Sequence, residues 1–244
     1  MSNYARNNTN KPDDSARSAA PQTSRPSTPP PSTVPTVPTV SSAPTMARLR
    51  WTPSEIAVGA ALGVAWGPGF WGFNFAYSSI SPILGAILPG VASILHAFWY
   101  FSGPLAILII RKPGAAIYVN LVGAAAEMLF GNSFSSGFVF LSAALQGLFS
   151  EIPFAVMRYR KYNLSVTIAS GALTAIEYGF YLLFFYFQGV ALVSPRGITH
   201  MICEIIGGVL IAGVMSWALY RAIARTGALD RFASGRAARD LAEN

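Results

Sequence analysis

Residues 164–188 read LSVTIASGALTAIEYGFYLLFFYFQ, an apolar stretch whose one formal charge is Glu177. Because the hydrocarbon core of a bilayer is about 30 Å thick, a helix needs roughly 20 apolar residues to cross it. The stretch therefore predicts a membrane-spanning helix. An ionisable side chain inside such a helix is costly, so Glu177 is a candidate functional residue.

Other parts of the chain have the same apolar character. With 164–188 they predict six spans, the others lying near 54–73, 87–110, 114–130, 136–157 and 198–223. The whole chain is 52% hydrophobic and only 11% charged, a composition that indicates an integral membrane protein. The predicted fold class is thus all-α, a polytopic bundle of six transmembrane helices.

The basic residues predict the orientation of the bundle. The net charge is +7, and the Lys and Arg in the loops beside the spans are a topology signal rather than a sign of nucleic-acid binding. One side of the six-span arrangement holds Arg48, Arg50, Arg111, Lys112, Arg158, Arg160, Lys161, Arg221 and Arg225, and the other side holds Arg196. We therefore predict that both termini are cytoplasmic and that loops 74–86, 131–135 and 189–197 face outward.

The domain organisation follows from a change in composition near residue 46. Residues 1–46 are rich in Pro, Ser and Thr, which predicts a disordered cytoplasmic tail. The tail has no continuous apolar region and is not a secretory signal, and Met46 is a candidate start. Residues 47–233 form the predicted membrane domain, and 234–244 a short cytoplasmic C-terminal tail.

Three glutamates fall at one predicted depth in the outer half of the membrane. From the helical rise, Glu127 and Glu177 lie about 20 Å above the inner surface, and Glu204 lies about 9 Å below the outer one. Since no Lys or Arg accompanies them at this depth, they predict a cavity that binds a cation. Glu151 lies nearer the cytoplasmic side of the membrane. From this depth we predict that Glu151 and Gln146 take part in helix pairing or coupling.

Polar and aromatic residues accompany this acidic layer. His200 lies four residues from Glu204, and Tyr181 lies four residues from Glu177, so each pair shares a helix face. His96 lies at a similar depth on the second span, with Trp99 below it. Residues 70–77, FWGFNFAY, have two compatible interpretations: an aromatic belt at the membrane interface, or a lid that stacks on a planar ligand, with Trp71 as a stacking residue.

The first span carries small residues at four-residue spacing, Ala57, Ala61 and Ala65, with Gly59 and Gly63 on an adjacent strip. Such spacing lets another helix approach closely, either within this chain or in a partner.

Several catalytic patterns are missing from the sequence. There is no phosphate-binding Gly-x-x-x-x-Gly-Lys-Ser/Thr loop, no Ser/His/Asp or Cys/His catalytic set and no zinc-spaced cluster, and the chain has a single cysteine. We therefore expect a protein that is not an enzyme and holds no metal or cofactor. Two further classes stay open: a self-sufficient secondary transporter of an organic cation, and a non-transporting membrane scaffold.

Five blocks of sequence resemble the YkoE family. In chain order they are RKPGAA (111–116), AEMLFGN (126–132), QGLFSE (146–151), RYRKYN (158–163) and ARTGALDRF (224–232), and the resemblance covers about residues 50–233. The family comprises substrate-binding S components of energy-coupling factor (ECF) transporters, assigned to thiamine or its hydroxymethylpyrimidine (HMP) precursor.

The resemblance implies a subunit of an ATP-driven vitamin importer in the bacterial cell membrane. It implies an outward-facing pocket for thiamine or HMP, without deciding between them, and a complex with a transmembrane T component and two ATPase subunits. In S components the first helix contacts the T component, and Ala57, Ala61 and Ala65 match that pattern.

The expected pocket combines charge, hydrogen bonding and stacking, which suits a cationic thiazolium and a flat aminopyrimidine. We expect carboxylates from Glu127, Glu177 and Glu204, hydrogen bonds from His96, His200 and Asn132, and stacking by Trp71, Trp99 and Tyr181.

Overall fold

The computed structural model describes residues 49–131, 136–230, 232, 234 and 235, and every regular element in this part is helical. The helices are α1 (Pro53–Ile87), α2 (Val91–Ile110), α3 (Ala115–Phe130), α4 (Ser136–Val156), α5 (Leu164–Phe185) and α6 (Pro195–Arg225). All except α3 are long and apolar enough to cross a membrane, and α3 is a shorter apolar helix. The predicted all-α membrane bundle is confirmed, whereas the number of crossings and their direction stay predictions.

The first helix is much longer than the sequence predicts. α1 has 35 residues, so the predicted end at residue 73 and the outward loop at 74–86 are both wrong. The Gly-Pro-Gly sequence at 67–69 does not end the helix, and α1 contains both Pro68 and Pro82. Membrane helices tolerate proline because neighbouring groups satisfy the freed backbone carbonyls. The start of α1 is sharply defined by a capping box between Thr52 and Glu55.

Two helices depart from regular α geometry. α2 opens as a 3-10 helix, Val91–His96, and becomes α-helical from Ala97. α6 contains a π-helical stretch, Gly208–Met215. It begins at Pro195, earlier than the predicted residue 198, because the Ser194 side chain caps it by accepting from the Gly197 amide.

The basic segments between helices meet at one end of the bundle. Lys112 pairs with Glu55 at the start of α1, at 3.3 Å. Arg111 donates to the Tyr220 hydroxyl near the end of α6, at 3.0 Å, and its carbonyl accepts from Tyr162 after α4, at 3.3 Å. These contacts bring together four groups of basic residues, and the cytoplasmic location of this end stays a prediction.

Glu151 joins two helices near this end. Its carboxylate accepts from the backbone amides of Gly114 and Ala116, at 2.8 and 2.9 Å, and from the Tyr159 hydroxyl at 2.9 Å. These amides belong to the N-terminus of α3, where an anion is favourable. Burial, together with the hydrogen bond to Glu151, raises the pKa of Tyr159, so its phenol stays a donor. Glu151 thus pairs α4 with α3.

The contact of α1 with α3 uses the glycine strip. Gly59, Gly63 and Gly67 are buried against Tyr118, Val122 and Ala126, respectively. The alanines predicted to contact a partner, Ala57, Ala61 and Ala65, are exposed on another face of α1.

We expect Gly63→Ala to destabilise the protein by about 1–3 kcal/mol, because the added methyl group overpacks this contact. Its Cβ would lie 2.6 Å from Val122 Cβ and 2.9 Å from the Val119 carbonyl oxygen. The measurement is the thermal unfolding temperature in detergent. Gly72→Ala is the matched control, since nothing lies within 4 Å of the added methyl group on the same helix. Equal unfolding temperatures for the two variants would contradict the packing described here.

Candidate ligand-binding site

A cavity of about 180 Å³ lies within the bundle. Helices α1 to α5 and the segment after α5 line it. The lining residues are Phe70, Asn74, Tyr77, His96, Trp99, Asn120, Ala124, Glu127, Phe138, Val139, Ser142, Ala143, Gln146, Tyr178, Tyr181, Leu182, Tyr186 and Phe187. The wall is largely aromatic with a few polar groups, which is typical of small-molecule sites.

Glu127 is the one carboxylate among these lining residues, and it is held in place by Asn74. The Asn74 amide donates to Glu127 Oε1 at 2.7 Å, and its Oδ1 accepts from the Trp99 indole at 2.8 Å. Glu127 is buried. The chain of bonds links α1, α2 and α3 and fixes the direction of an acidic group at the cavity.

The cavity also has amide groups on α3 and α4. Asn120 Oδ1 accepts from the Ser102 hydroxyl at 2.8 Å, while its Nδ2 is buried and donates to no acceptor within the described chain. Gln146 donates to Ser142 at 2.8 Å. An unsatisfied buried donor costs about 1–3 kcal/mol. A ligand acceptor placed beside Asn120 would remove this cost.

Aromatic rings form the remaining walls. Tyr178 and Tyr181 are stacked, with ring centroids 5.9 Å apart and planes 12° from parallel, and Trp99 meets Tyr77 edge to face at 4.9 Å. The Tyr181 hydroxyl donates to the Phe138 carbonyl at 2.8 Å, which fixes the ring. Burial raises the pKa of Tyr186, so its phenol is neutral. These rings suit a flat, partly apolar ligand.

A hydrogen-bonded network supports the cavity from behind. Tyr77 lies 2.6 Å from His96 Nε2, and His96 Nδ1 lies 2.6 Å from Glu204 Oε2. Tyr100 donates to the other Glu204 oxygen at 3.0 Å. Since Nδ1 faces a carboxylate, it carries a proton, and in the neutral ring Nε2 then accepts from Tyr77. Glu204 is fully buried and does not line the cavity.

His200 lies beside this network. Its Nδ1 is hydrogen-bonded to Ser93, and its Nε2 lies 3.1 Å from the Gly179 carbonyl oxygen. His96, His200 and Glu204 offer one possible metal-ligand atom each, all within 4.8 Å of one another. All three side chains already take part in hydrogen bonds with the protein.

The predicted site residues fall into several groups. Glu127, His96, Trp99 and Tyr181 line the cavity, and Glu204 and His200 lie behind it. Glu177 lines a separate groove. Trp71 is 37% exposed and packs against Phe75 and Phe130 away from the cavity. Asn132 lies outside the described residues. The binding roles of all nine stay predictions.

Several lining residues carry no formal charge and are absent from the site that the sequence predicts. Asn120 lies seven residues before Glu127, two helical turns away on the same face, and this spacing is the signal that points to it. Asn74 and Tyr77 share a face of α1, whereas the sequence predicts an outward loop at 74–86. Gln146 was assigned to pairing or coupling by its depth, yet it lines the cavity.

An apolar helical bundle around an aromatic cavity with a few polar groups is typical of a membrane protein that binds a small molecule. The chain belongs to the family described as ABC-type cobalt transport system, permease component, whose model matches residues 54–177. It is 28% identical over 187 residues to a Bacillus subtilis protein named as HMP/thiamine permease protein YkoE, an alignment covering 76% of this chain and 91% of that protein.

A solved S component of an ECF transporter has the same fold. The match has a TM-score of 0.69 and 25% sequence identity and covers 80% of this chain and 96% of the other. The resemblance to the YkoE family is therefore confirmed. The chain is a membrane transport protein of the S-component class, whose members bind substrate and are not enzymes.

Proposed function

We propose that this chain is the substrate-binding subunit of an ATP-driven vitamin importer, and that it takes HMP or thiamine into the cavity from outside the cell. One observation carries the proposal: the Glu127 carboxylate and the unsatisfied Asn120 amide face the same aromatic cavity. The name of the Bacillus subtilis relative supports the same substrate class.

The chemistry of an aminopyrimidine matches these groups. Its exocyclic amino group is a donor that the Glu127 carboxylate accepts, and a ring nitrogen is an acceptor for Asn120 Nδ2. Its flat ring stacks between aromatic walls such as Tyr178 and Trp99. Thiamine adds a cationic thiazolium, which aromatic faces and the carboxylate both attract.

The proposal includes the partners and the location. The exposed face of Ala57, Ala61 and Ala65 contacts a T component, and two separate ATPase subunits hydrolyse ATP. The protein lies in the bacterial cell membrane with the basic end of the bundle and both termini in the cytoplasm. Residues 1–46 precede the membrane domain in the sequence and residues 234–244 follow it, and both are cytoplasmic tails.

A ligand panel tests the proposal. We expect HMP or thiamine to raise the thermal unfolding temperature of the purified protein saturably, because a ligand that binds only the folded state stabilises it. Thiamine phosphates are expected to bind more weakly, since Glu127 repels a phosphate. An unfolding temperature that no compound changes is the result expected for a non-transporting scaffold. Cation uptake into vesicles without T or ATPase subunits would indicate a secondary transporter.

A metal ion is the second candidate ligand, favoured by the His96, His200 and Glu204 donors and by the description of the family. Imidazole and carboxylate donors suit a divalent transition metal. Adding Co²⁺ to the same panel, with the wild-type protein and with His200→Ala, decides between a metal ion and an organic ligand. Stabilisation by Co²⁺ that the variant loses would favour the metal.

A further inference from the structure

A second hollow, separate from the cavity, lies against α4, α5 and the segment that follows α5. This groove has a volume of about 510 Å³. Its walls include Leu145 and Phe149 from α4, Phe180 and Phe184 from α5, and Leu192 beyond it. Among the described residues that line it, Glu177 and the Tyr181 hydroxyl supply the polar side-chain groups.

Glu177 differs from the other membrane-embedded glutamates because no described residue forms a hydrogen bond with its buried Oε2. Its side chain is 8% exposed. In contrast, Glu127 accepts from Asn74, and Glu204 is bonded to two side chains. A buried, unpaired carboxyl group is costly in a protein, and more so within a membrane. A cation in the groove would offset that cost.

The groove opens on the outer surface of the bundle. Phe184 is 74% exposed, Phe180 is 49% exposed and Leu192 is 45% exposed. Because α5 is apolar and long enough to span a membrane, we expect Phe180 and Phe184 to face lipid. Tyr181 lines both the groove and the cavity, and its ring lies between them.

The residues that line the groove determine which kind of molecule can bind there. A lipid acyl chain would fill the groove but leave the Glu177 carboxyl unpaired, and an anion would be repelled by it. A cation with aromatic groups satisfies both parts, because it pairs with the carboxylate while ring faces such as those of Phe149 and Phe180 attract its charge. We propose that this groove is a second ligand site that takes an aromatic organic cation from the membrane face, with Glu177 as its counter-charge.

Binding of tetraphenylphosphonium, an aromatic cation, tests the proposal. The full chain in phosphatidylcholine nanodiscs is measured by equilibrium dialysis with labelled cation, and empty nanodiscs correct for partition into lipid. We expect one saturable site that Glu177→Gln weakens at least about tenfold, since a charge-assisted contact is lost. Phe184→Ala, which changes an exposed ring, is expected to weaken it about two- to fivefold and to keep HMP binding.

Glu127→Gln is the matched control, because it makes the same chemical change in the cavity. We expect it to keep tetraphenylphosphonium binding while it weakens HMP binding, so the two sites are tested independently. The proposal is overturned if wild-type nanodiscs show no saturable binding above empty ones, or if Glu177→Gln binds like wild type. It is also overturned if Glu127→Gln weakens tetraphenylphosphonium as much as Glu177→Gln does, because the cation would then occupy the cavity.

Discussion

Glu127→Gln is expected to weaken HMP or thiamine binding by roughly 10- to 100-fold, which is the range for losing a hydrogen bond to a charged group. Glutamine keeps the shape of the side chain, and its amide oxygen still accepts from Asn74. It removes the negative charge and turns one acceptor into a donor, which then faces the donor amino group of the ligand. Affinity is measured by isothermal titration calorimetry on purified protein.

The control for this experiment is Glu55→Gln, the same chemical change in the first turn of α1. Glu55 belongs to the capping box of α1 and pairs with Lys112, far from the cavity. This variant should bind the ligand as wild type does. If Glu127→Gln also binds as wild type does, the carboxylate is not a ligand contact and the central assignment of the site is wrong.

Glu204→Ala is expected to destabilise the protein by roughly 2–6 kcal/mol, because leaving each of two buried donors without an acceptor costs about 1–3 kcal/mol. The substitution leaves His96 Nδ1–H and the Tyr100 hydroxyl without their acceptor, in a position with no exposure to solvent. The measurement is the free energy of unfolding in mixed micelles of increasing denaturing detergent.

Glu204→Gln separates the role of shape from that of charge. Its single amide oxygen can accept from one of the two donors, so we expect a smaller loss of stability than in Glu204→Ala. An alanine variant that unfolds like wild type would show that the network behind the cavity contributes nothing to stability.

The sequence predicted the middle helices well because their ends are marked by charged or turn residues. α3, α4 and α5 begin within one residue of the predicted starts at 114, 136 and 164. α1 was the exception, since the Gly-Pro-Gly sequence that usually stops a helix lies inside it. A single sequence does not show whether neighbouring helices will satisfy the backbone freed by a proline.

The site was predicted only in part because depth does not determine direction. Counting residues placed Glu127 and Glu177 at one level, yet one lines the cavity and the other the lipid-facing groove. In a membrane helix both faces are apolar, so the periodicity that reveals the inner face of a soluble helix is weak. Neutral amides such as Asn120 carry no charge, and a search for buried charges passes over them.

Pro68 gives the long first helix a mechanical property. It has no N–H to donate to the Val64 carbonyl, so α1 bends there more easily than elsewhere. The exposed alanine face at 57–65 lies before Pro68, and Asn74 lies after it. Asn74 is six residues, or about 9 Å, from Pro68 along the helix. A bend of about 10° would displace Asn74 by about 1.6 Å, and a displacement directed away from Glu127 would stretch their 2.7 Å bond beyond hydrogen-bonding distance. A force applied to the alanine face would therefore loosen the polar wall of the cavity without touching a ligand.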